Sequence, residues 1–434
     1  MAETPEPEQP WYDETPKAVI AGAACTRLIA EPATWINRRV ETVELLTGDE
    51  TRRKVSVDFT LTEQMRQQLE IADGVVVPIT VLTKERRRSF DLRDETGRAI
   101  PVLGKGQNGD LAHIALMNAA FEALPDDVTD DASQMLAADL RRVVFDAPGD
   151  ARDALEFFAG AADAGDPVRA AIWHDDTCRQ MLGALWENYV LFAVLAPGGP
   201  ARRVLKYGYS EDFNPMRSSR LADRLALGEV LTRLAYPDRA GFLIATPGAS
   251  WAASFHVEVA VPDELRIERA FLFERDAAEL ISGEELNVNR ASLYAPDQVA
   301  ALADVDAYVE VAPERRGATF QAAATSLVVT ALLWLGVVSE LDAEAPGAAV
   351  SLLLAGAALF TGFAAAQHEH RLVTTVFSTA RRGLGVVTLC ALTGSATLAM
   401  EFPCRHPVFV WWCAAALSSI VALRLAWSAV RAPT

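Results

Sequence analysis

Cysteine is scarce in this 434-residue chain. The five residues present (Cys25, Cys178, Cys390, Cys404 and Cys413) lie far apart or in an apolar last quarter, and none forms a C-x-x-C pair. That pattern excludes a disulfide framework and fits a reducing compartment for the soluble part. The opening stretch, "MAETPEPEQPWYDETP", has neither a basic start nor an apolar core. Residues 1–16 therefore do not read as a signal peptide and are expected to form a disordered acidic tail.

The last quarter has little charge. Of 58 acidic and 40 basic residues, only five and six lie after Gly317, which leaves 53 against 34 before it, a net of -19. An acidic body of this kind repels nucleic acid and anionic lipid at long range, so no nucleic-acid partner is expected. Four uncharged runs follow Arg316: Ala318 to Val338, Gly347 to Ala366, Gly383 to Met400, and Val408 to about Leu423. Each approaches the ~20 residues needed to cross a hydrocarbon layer. The spacing predicts a four-helix transmembrane domain over 315–434.

The basic residues set its expected orientation. Arg315 and Arg316 precede the first run, Arg371, Arg381 and Arg382 lie between the second and third, and Arg424 and Arg431 close the chain. The loop "SELDAEAP" between the first two runs has three acids and no base. Both termini are thus expected in the cytoplasm of a multi-pass cytoplasmic-membrane protein. Leu372, Val373, Val376, Phe377 and Ala380 recur at helical spacing, which reads either as a short helix in the headgroup plane or as an extension of the second span. The runs carry no ionisable group of the kind pumps need, and their small residues leave self-association open.

Before the membrane runs the expected class is α+β. A β-rich module is read over 17–109, where Val55, Val57, Phe59 and Leu61 alternate with polar residues, "GVVVPITVL" follows, and Glu95-Thr96-Gly97 marks a hairpin. Residues 110–200 read as helical. Asn108 or Asp110 would cap the first helix, and Pro167 would start a long last one that runs into the apolar Tyr189 to Leu195. Residues 201–314 read as an antiparallel, sandwich-like module with one helix, "RLADRLALGEVLTRLAY".

Candidate sites are few. Gly104, Gly106 and Gly109 have the G-x-G-x-x-G spacing of a dinucleotide loop. Pro101 sits in the supposed strand, however, no second strand with an acid follows, and no G-K-[ST] is present. A loop entering a helix is the preferred reading. "PGASWAAS" around Ser250 only partly matches a nucleophile elbow. His174 with Cys178, and His368 with His370, have metal-compatible spacing but no third or fourth ligand. Lys84, Arg86, Arg87 and Arg88 form the densest basic cluster and are a candidate contact for a lipid phosphate or an acidic partner. No catalytic residue, cofactor or metal ligand is assigned.

"RRKVSVDFTL" with "SFDLRDETGRAIPVL", then "RRVLKYGYSEDF" and "SFHVEVAVPDELRI" ahead of a four-span tail, resembles a group of actinobacterial membrane proteins with a cytoplasmic β/α body. The resemblance implies architecture and no activity. The leading expectation is a non-enzymatic binding or sensing body held at the lipid bilayer, with an unknown protein or small-molecule ligand. The alternatives are a membrane-permeabilising effector or oligomeric pore controlled by the body, and an enzyme of unidentified type.

Overall fold

The computed structural model describes residues 16–46, 50–71, 74–84, 88–125, 128–213, 240–246, 248–274, 280–295, 305–314, 318–339, 355–357, 377–399 and 407–431. The acidic tail and the helix expected over 220–236 fall outside them. The described chain is α+β, with three sheets, a helical layer and a group of apolar helices.

The largest sheet has six strands: β1 (Ile36–Leu45), β2 (Glu50–Thr60), β5 (Arg88–Arg93), β7 (Arg202–Asp212), β9 (Ser254–Ala260) and β12 (Arg290–Ala295). Their order is β12-β9-β1-β2-β7-β5. β1 and β9 run parallel while the other neighbours are antiparallel, so this sheet is mixed where antiparallel modules were expected. It also draws strands from both segments read as separate β modules. The expected alternation holds: Val55, Val57 and Phe59 point inward on β2, and Phe255, Val257 and Val259 do so on β9.

Two smaller sheets cover different halves of this inner face. One contains β3 (Glu70–Ile71), β4 (Gly74–Thr83) and β6 (Asn188–Leu195). The other contains β8 (Ala240–Ala245), β10 (Leu265–Glu274), β11 (Leu280–Val288) and β13 (Val305–Pro313), in the order β11-β10-β13-β8. The second packs on β1, β9 and β12 as a sandwich, around Val43, Phe255, Val257, Ile267 and Val309. The first, with the helices, buries Val55, Val57, Phe59, Ile79 and Phe192 in a separate core.

β6 corrects an expectation. Tyr189 to Leu195 was read as the end of a long helix from Pro167, but a short apolar run has no period that separates strand from helix. Here it pairs antiparallel with the wholly buried β4. The helix is also cut at Asp175, whose extended backbone ends α6 (Pro167–His174) and whose carboxylate accepts the Cys178 N–H at 2.8 Å to begin α7 (Asp176–Leu185). Pro167 does open its helix, as expected.

Helices α1 (Pro16–Ala30), α2 (Glu63–Gln68), α3 (Lys105–Ala123), α4 (Asp130–Phe145) and α5 (Pro148–Asp163) complete the body. α3 begins at Lys105, earlier than expected. Its cap is Gly104, whose N–H donates to Gln107 Oε1 at 2.9 Å, rather than Asn108 or Asp110. Asn108 instead reaches across the fold. Its amide nitrogen donates to the Leu103 carbonyl at 2.6 Å, and its oxygen accepts the Phe192 N–H of β6 at 2.8 Å. The Glu95-Thr96-Gly97 turn forms, with Gly97 at φ +84, but its second limb is an isolated bridge, Arg93 to Ala99, and not a strand.

After β13 come α8 (Ala318–Ser339), α9 (Ser378–Ala399) and α10 (Pro407–Arg431). Among the described residues two stretches, Phe320–Val338 and Phe409–Trp427, are long and apolar enough to cross a membrane. α9 carries Arg381 and Arg382 near its start and does not join them. The second apolar run lies outside the described residues except for 355–357. Four spans are thus an expectation of which the described chain carries part.

The helices pack through small and hydroxyl residues. The Thr330 and Ser418 hydroxyls are 2.6 Å apart, Trp334 Nε1 donates to Ser419 Oγ at 2.9 Å, and Gly336 leaves the space that Trp411 fills. Phe377, expected in a membrane-surface helix or an extension of the second span, is buried in the sandwich core of the body. The apolar residues preceding it in that pattern lie outside the described residues.

One of the three spaced glycines has a packing explanation. A Cβ on Gly109 would overlap the Phe145 ring of α4, whereas one on Gly106 would meet nothing within 4 Å. Gly109→Ala is expected to lower stability by about 1–3 kcal/mol through overpacking, and Gly106→Ala to raise it by about 0.5–1 kcal/mol through helix propensity. Urea unfolding of the two variants of the full chain, compared with the parent, checks both signs.

Candidate functional site

The most concentrated chemistry in the body is a group of charges between its two apolar cores. Strand period places Arg39 and Glu41 on the same face as Val43 and Leu45, and Arg53 on the same face as Val55 and Val57. All three are therefore driven inward with the apolar residues of their strands. Arg39 is 2% exposed, Glu41 1% and Arg53 7%.

Isolated charges at that depth would be very unfavourable, so each must find a partner. Glu41 lies between both arginines, accepting from Arg39 Nη2 at 3.2 Å and, through its other oxygen, from Arg53 Nη1. Arg53 Nε donates to Glu211 of β7 at 2.6 Å, and Arg53 Nη1 also donates to the Ala245 carbonyl at the end of β8, 2.9 Å away. Arg39 Nη1 donates to Thr80 Oγ1 of β4 at 2.8 Å, an oxygen that also accepts the Tyr207 hydroxyl at 3.1 Å. The β4–β6 pairing slips between Pro78 and Thr80, the point at which Thr80 meets the arginine.

One network thus touches all three sheets. Two guanidinium groups face two carboxylates, so its formal charge is balanced. Burial alone would push the Glu41 carboxyl up, but Arg53 and then Arg39 outweigh it and hold the group below the ordinary carboxylate range. Both Glu41 oxygens accept from guanidinium groups, which makes this carboxylate a poor proton shuttle. The arrangement is suited to fixing the three sheets against one another.

The residues singled out from sequence are dispersed. Lys84 turns inward, donating to the carbonyls of Val143 and Asp146 at 2.7 and 3.1 Å, where it caps the end of α4. Burial pulls its ammonium down to about 8, with Asp146 opposing the shift. Arg88 pairs with Asp212 at the surface, 2.6 Å away, and Arg86 and Arg87 lie outside the described residues. So do Arg315, Arg316 and Arg371. Arg381 and Arg382 lie near the start of α9, and Arg424 and Arg431 lie toward the end of α10.

Cys178 is fully buried, which pushes its thiol up to about 12, with Asp175 adding to the shift. His368 and His370 are outside the described residues. Among the described residues no three His, Cys, Asp or Glu side chains are gathered as a metal site. Ser250 lies in a 3-10 turn, Ala249–Trp251, that leads into β9. His113 on α3 is half-buried, and burial and then Arg141 hold its imidazole down to about 4. Comparison with family models and with curated proteins finds no match for this chain.

Sequence reading passed over the network, although a signal for it was present. Arg39, Glu41 and Arg53 break an otherwise apolar phase, which on a buried strand face requires compensation nearby. The partners Thr80, Glu211 and the Ala245 carbonyl are 41 or more positions from the residue they meet, and spacing could not supply them.

Glu41→Leu is expected to cost about 3–5 kcal/mol, because two buried guanidinium groups lose their shared partner. Combining it with Arg53→Met should cost less than the sum of the single changes, with a coupling of about 1 kcal/mol or more. Because the folded carboxyl is depressed, its contribution is present above an unfolded pKa of about 4.3 and is lost as pH falls toward the folded value. Parent stability should therefore fall with acidification below about pH 5, and less steeply in the Glu41→Leu variant. Urea midpoints at several pH values measure both effects.

Proposed function

We propose that the protein is an integral protein of the cytoplasmic membrane that holds a non-enzymatic binding or sensing body against the inner face of the bilayer. The observation that carries this reading is the uncovered apolar face of α10. Phe409, Trp412, Leu417, Ile420, Leu423 and Trp427 recur at helical spacing and remain between 47% and 69% exposed. Burying a large apolar side chain is worth about 1.5–3 kcal/mol. Six such residues in water forgo an amount on the order of the whole net stability of a domain, about 5–15 kcal/mol. Lipid removes that penalty. α8 presents a similar face through Phe320, Val328, Leu335 and Val338.

The helix directions support four crossings. Ala322, Ala323, Ala380, Leu384 and Leu425 cluster together, as do Val329, Leu333, Val387, Cys390 and Trp411. α8 and α9 therefore run parallel, with α10 antiparallel to both. A chain leaving α8 at Ser339 must return to the opposite end before Ser378. The uncharged residues 347–366 are long enough to do so, at about 30 Å for 20 helical residues. Ala357, within that run, packs against the second of these clusters.

Orientation follows the arginines. Arg381, Arg382 and Arg431 belong to the end at which α8 begins, and in sequence the acidic "SELDAEAP" starts at Ser339, where α8 ends. The positive end faces the cytoplasm, and the acidic body lies there with it. Trp427 and Phe320 mark that end, and Phe409 and Trp412 the far one, as aromatic residues do at bilayer interfaces. The body's ligand would be a protein or small molecule, and no cofactor is assigned.

Membranes washed with alkaline carbonate are expected to retain the full chain, and protease added outside spheroplasts to leave the body intact. Reconstituted vesicles loaded with a self-quenched dye should stay sealed. Release of the chain into carbonate would overturn the membrane reading. Dye leakage would replace the binding body with the permeabilising effector.

A further inference from the structure

We infer that Phe377 is a relay by which the packing of the body's sandwich controls the cytoplasmic ends of α8 and α9; this rests on the membrane reading above. Phe377 lies outside the body in sequence, 64 residues after β13 ends and one before α9 begins. Its side chain is nonetheless 2% exposed and belongs to the core cluster formed by the six-stranded sheet and the β8–β10–β11–β13 sheet. Its carbonyl accepts the Arg381 N–H at 2.9 Å, the first helical bond of α9. The residue is therefore both part of the sandwich core and the root of a membrane helix.

The same sandwich holds the bundle at a second point. β13 ends at Pro313, the Glu314 N–H donates to the Glu264 carbonyl at 2.8 Å, and α8 begins at Ala318. This tether is too short to act as a slack linker. One to two turns further on, Ala322 and Ala323 of α8 meet Ala380 and Leu384 of α9. A closed circuit results, from β13 into α8, across the alanine contact to α9, back through Phe377 to the sandwich and so to β13.

In such a circuit neither helix end can shift against the other unless Phe377 moves in the core or the alanine contact opens. A passive anchor needs only the β13–α8 connection. The second attachment makes the body and the helix pair one coupled unit, in which a ligand that repacks the sandwich would change the separation of the helix ends. The coupling is reciprocal, so a change forced on the helices must return to the body.

Hydrogen–deuterium exchange on the full chain, in nanodiscs of phosphatidylethanolamine and phosphatidylglycerol, tests this in both directions. Phe377→Ala is expected to speed exchange about tenfold in strands β8, β10 and β13 and also in the first two turns of α8 and α9, while Phe377→Leu stays close to the parent. Ala323→Leu, a wedge at the helix contact, should speed exchange in those strands although it lies outside the body. Faster exchange confined to the strands in Phe377→Ala, or to the helices in Ala323→Leu, overturns the relay. The wedge variant keeps the test decisive if Phe377→Ala does not fold. Carbonate retention of the parent, measured in parallel, separates failure of the relay from failure of the membrane reading.

Discussion

Three buried charges and a half-buried fourth, where two apolar cores meet, govern how the body is put together. Arg39, Glu41 and Arg53 are carried inward by the alternation of their own strands, and Glu211 completes the balance from β7. Each needs its partners because unpaired charge in that environment is untenable. All four charges lie on the six-stranded sheet, but the neutral acceptors that complete the network, Thr80 of β4 and the Ala245 carbonyl of β8, lie on the other two, so satisfying the buried guanidinium groups becomes a geometric constraint. The six-stranded sheet, the β4–β6 layer and the end of β8 must be in place together.

The helical region follows a different rule. Its runs have too little charge to specify partners, and its contacts are made by small side chains and shared hydroxyls, such as Thr330 with Ser418 and Gly336 beneath Trp411. On the membrane reading proposed above, close approach of backbones replaces the hydrophobic effect as the source of specificity. Outward-facing aromatic and aliphatic residues then need no protein partner. The two regions meet at the short β13–α8 passage and at Phe377, where an apolar ring from the helical region completes a core that the body's own strands leave unfilled.

Much of the fold was legible where a pattern was long and regular. The alternation of Val55, Val57 and Phe59 marked a half-buried strand, and Phe255, Val257 and Val259 marked another. Pro167 marked a helix start. The glycine loop enters a helix, as read, with Gly104 as the cap of α3. A short run failed: Tyr189 to Leu195 is a strand whose sequence carries no decisive period. Asp175 divides a helix because its carboxylate accepts the Cys178 N–H in the first turn of the next one. Lys84 looked like surface charge because its neighbours are basic, but the open carbonyls at the end of α4 draw it inward.

The sequence alone determined the acidic body, the apolar last quarter and the inward phase of the key strands, because each depends on composition or on neighbours within a few residues. Tertiary structure decided that β1 lies parallel to β9, that Arg39 meets Thr80 and Arg53 meets Glu211, and that Phe377 leaves the helices for the sandwich core. The physical reason is range. Periodicity tells a side chain which face to take, but which distant segment covers that face depends on the simultaneous burial and charge balance of the whole chain.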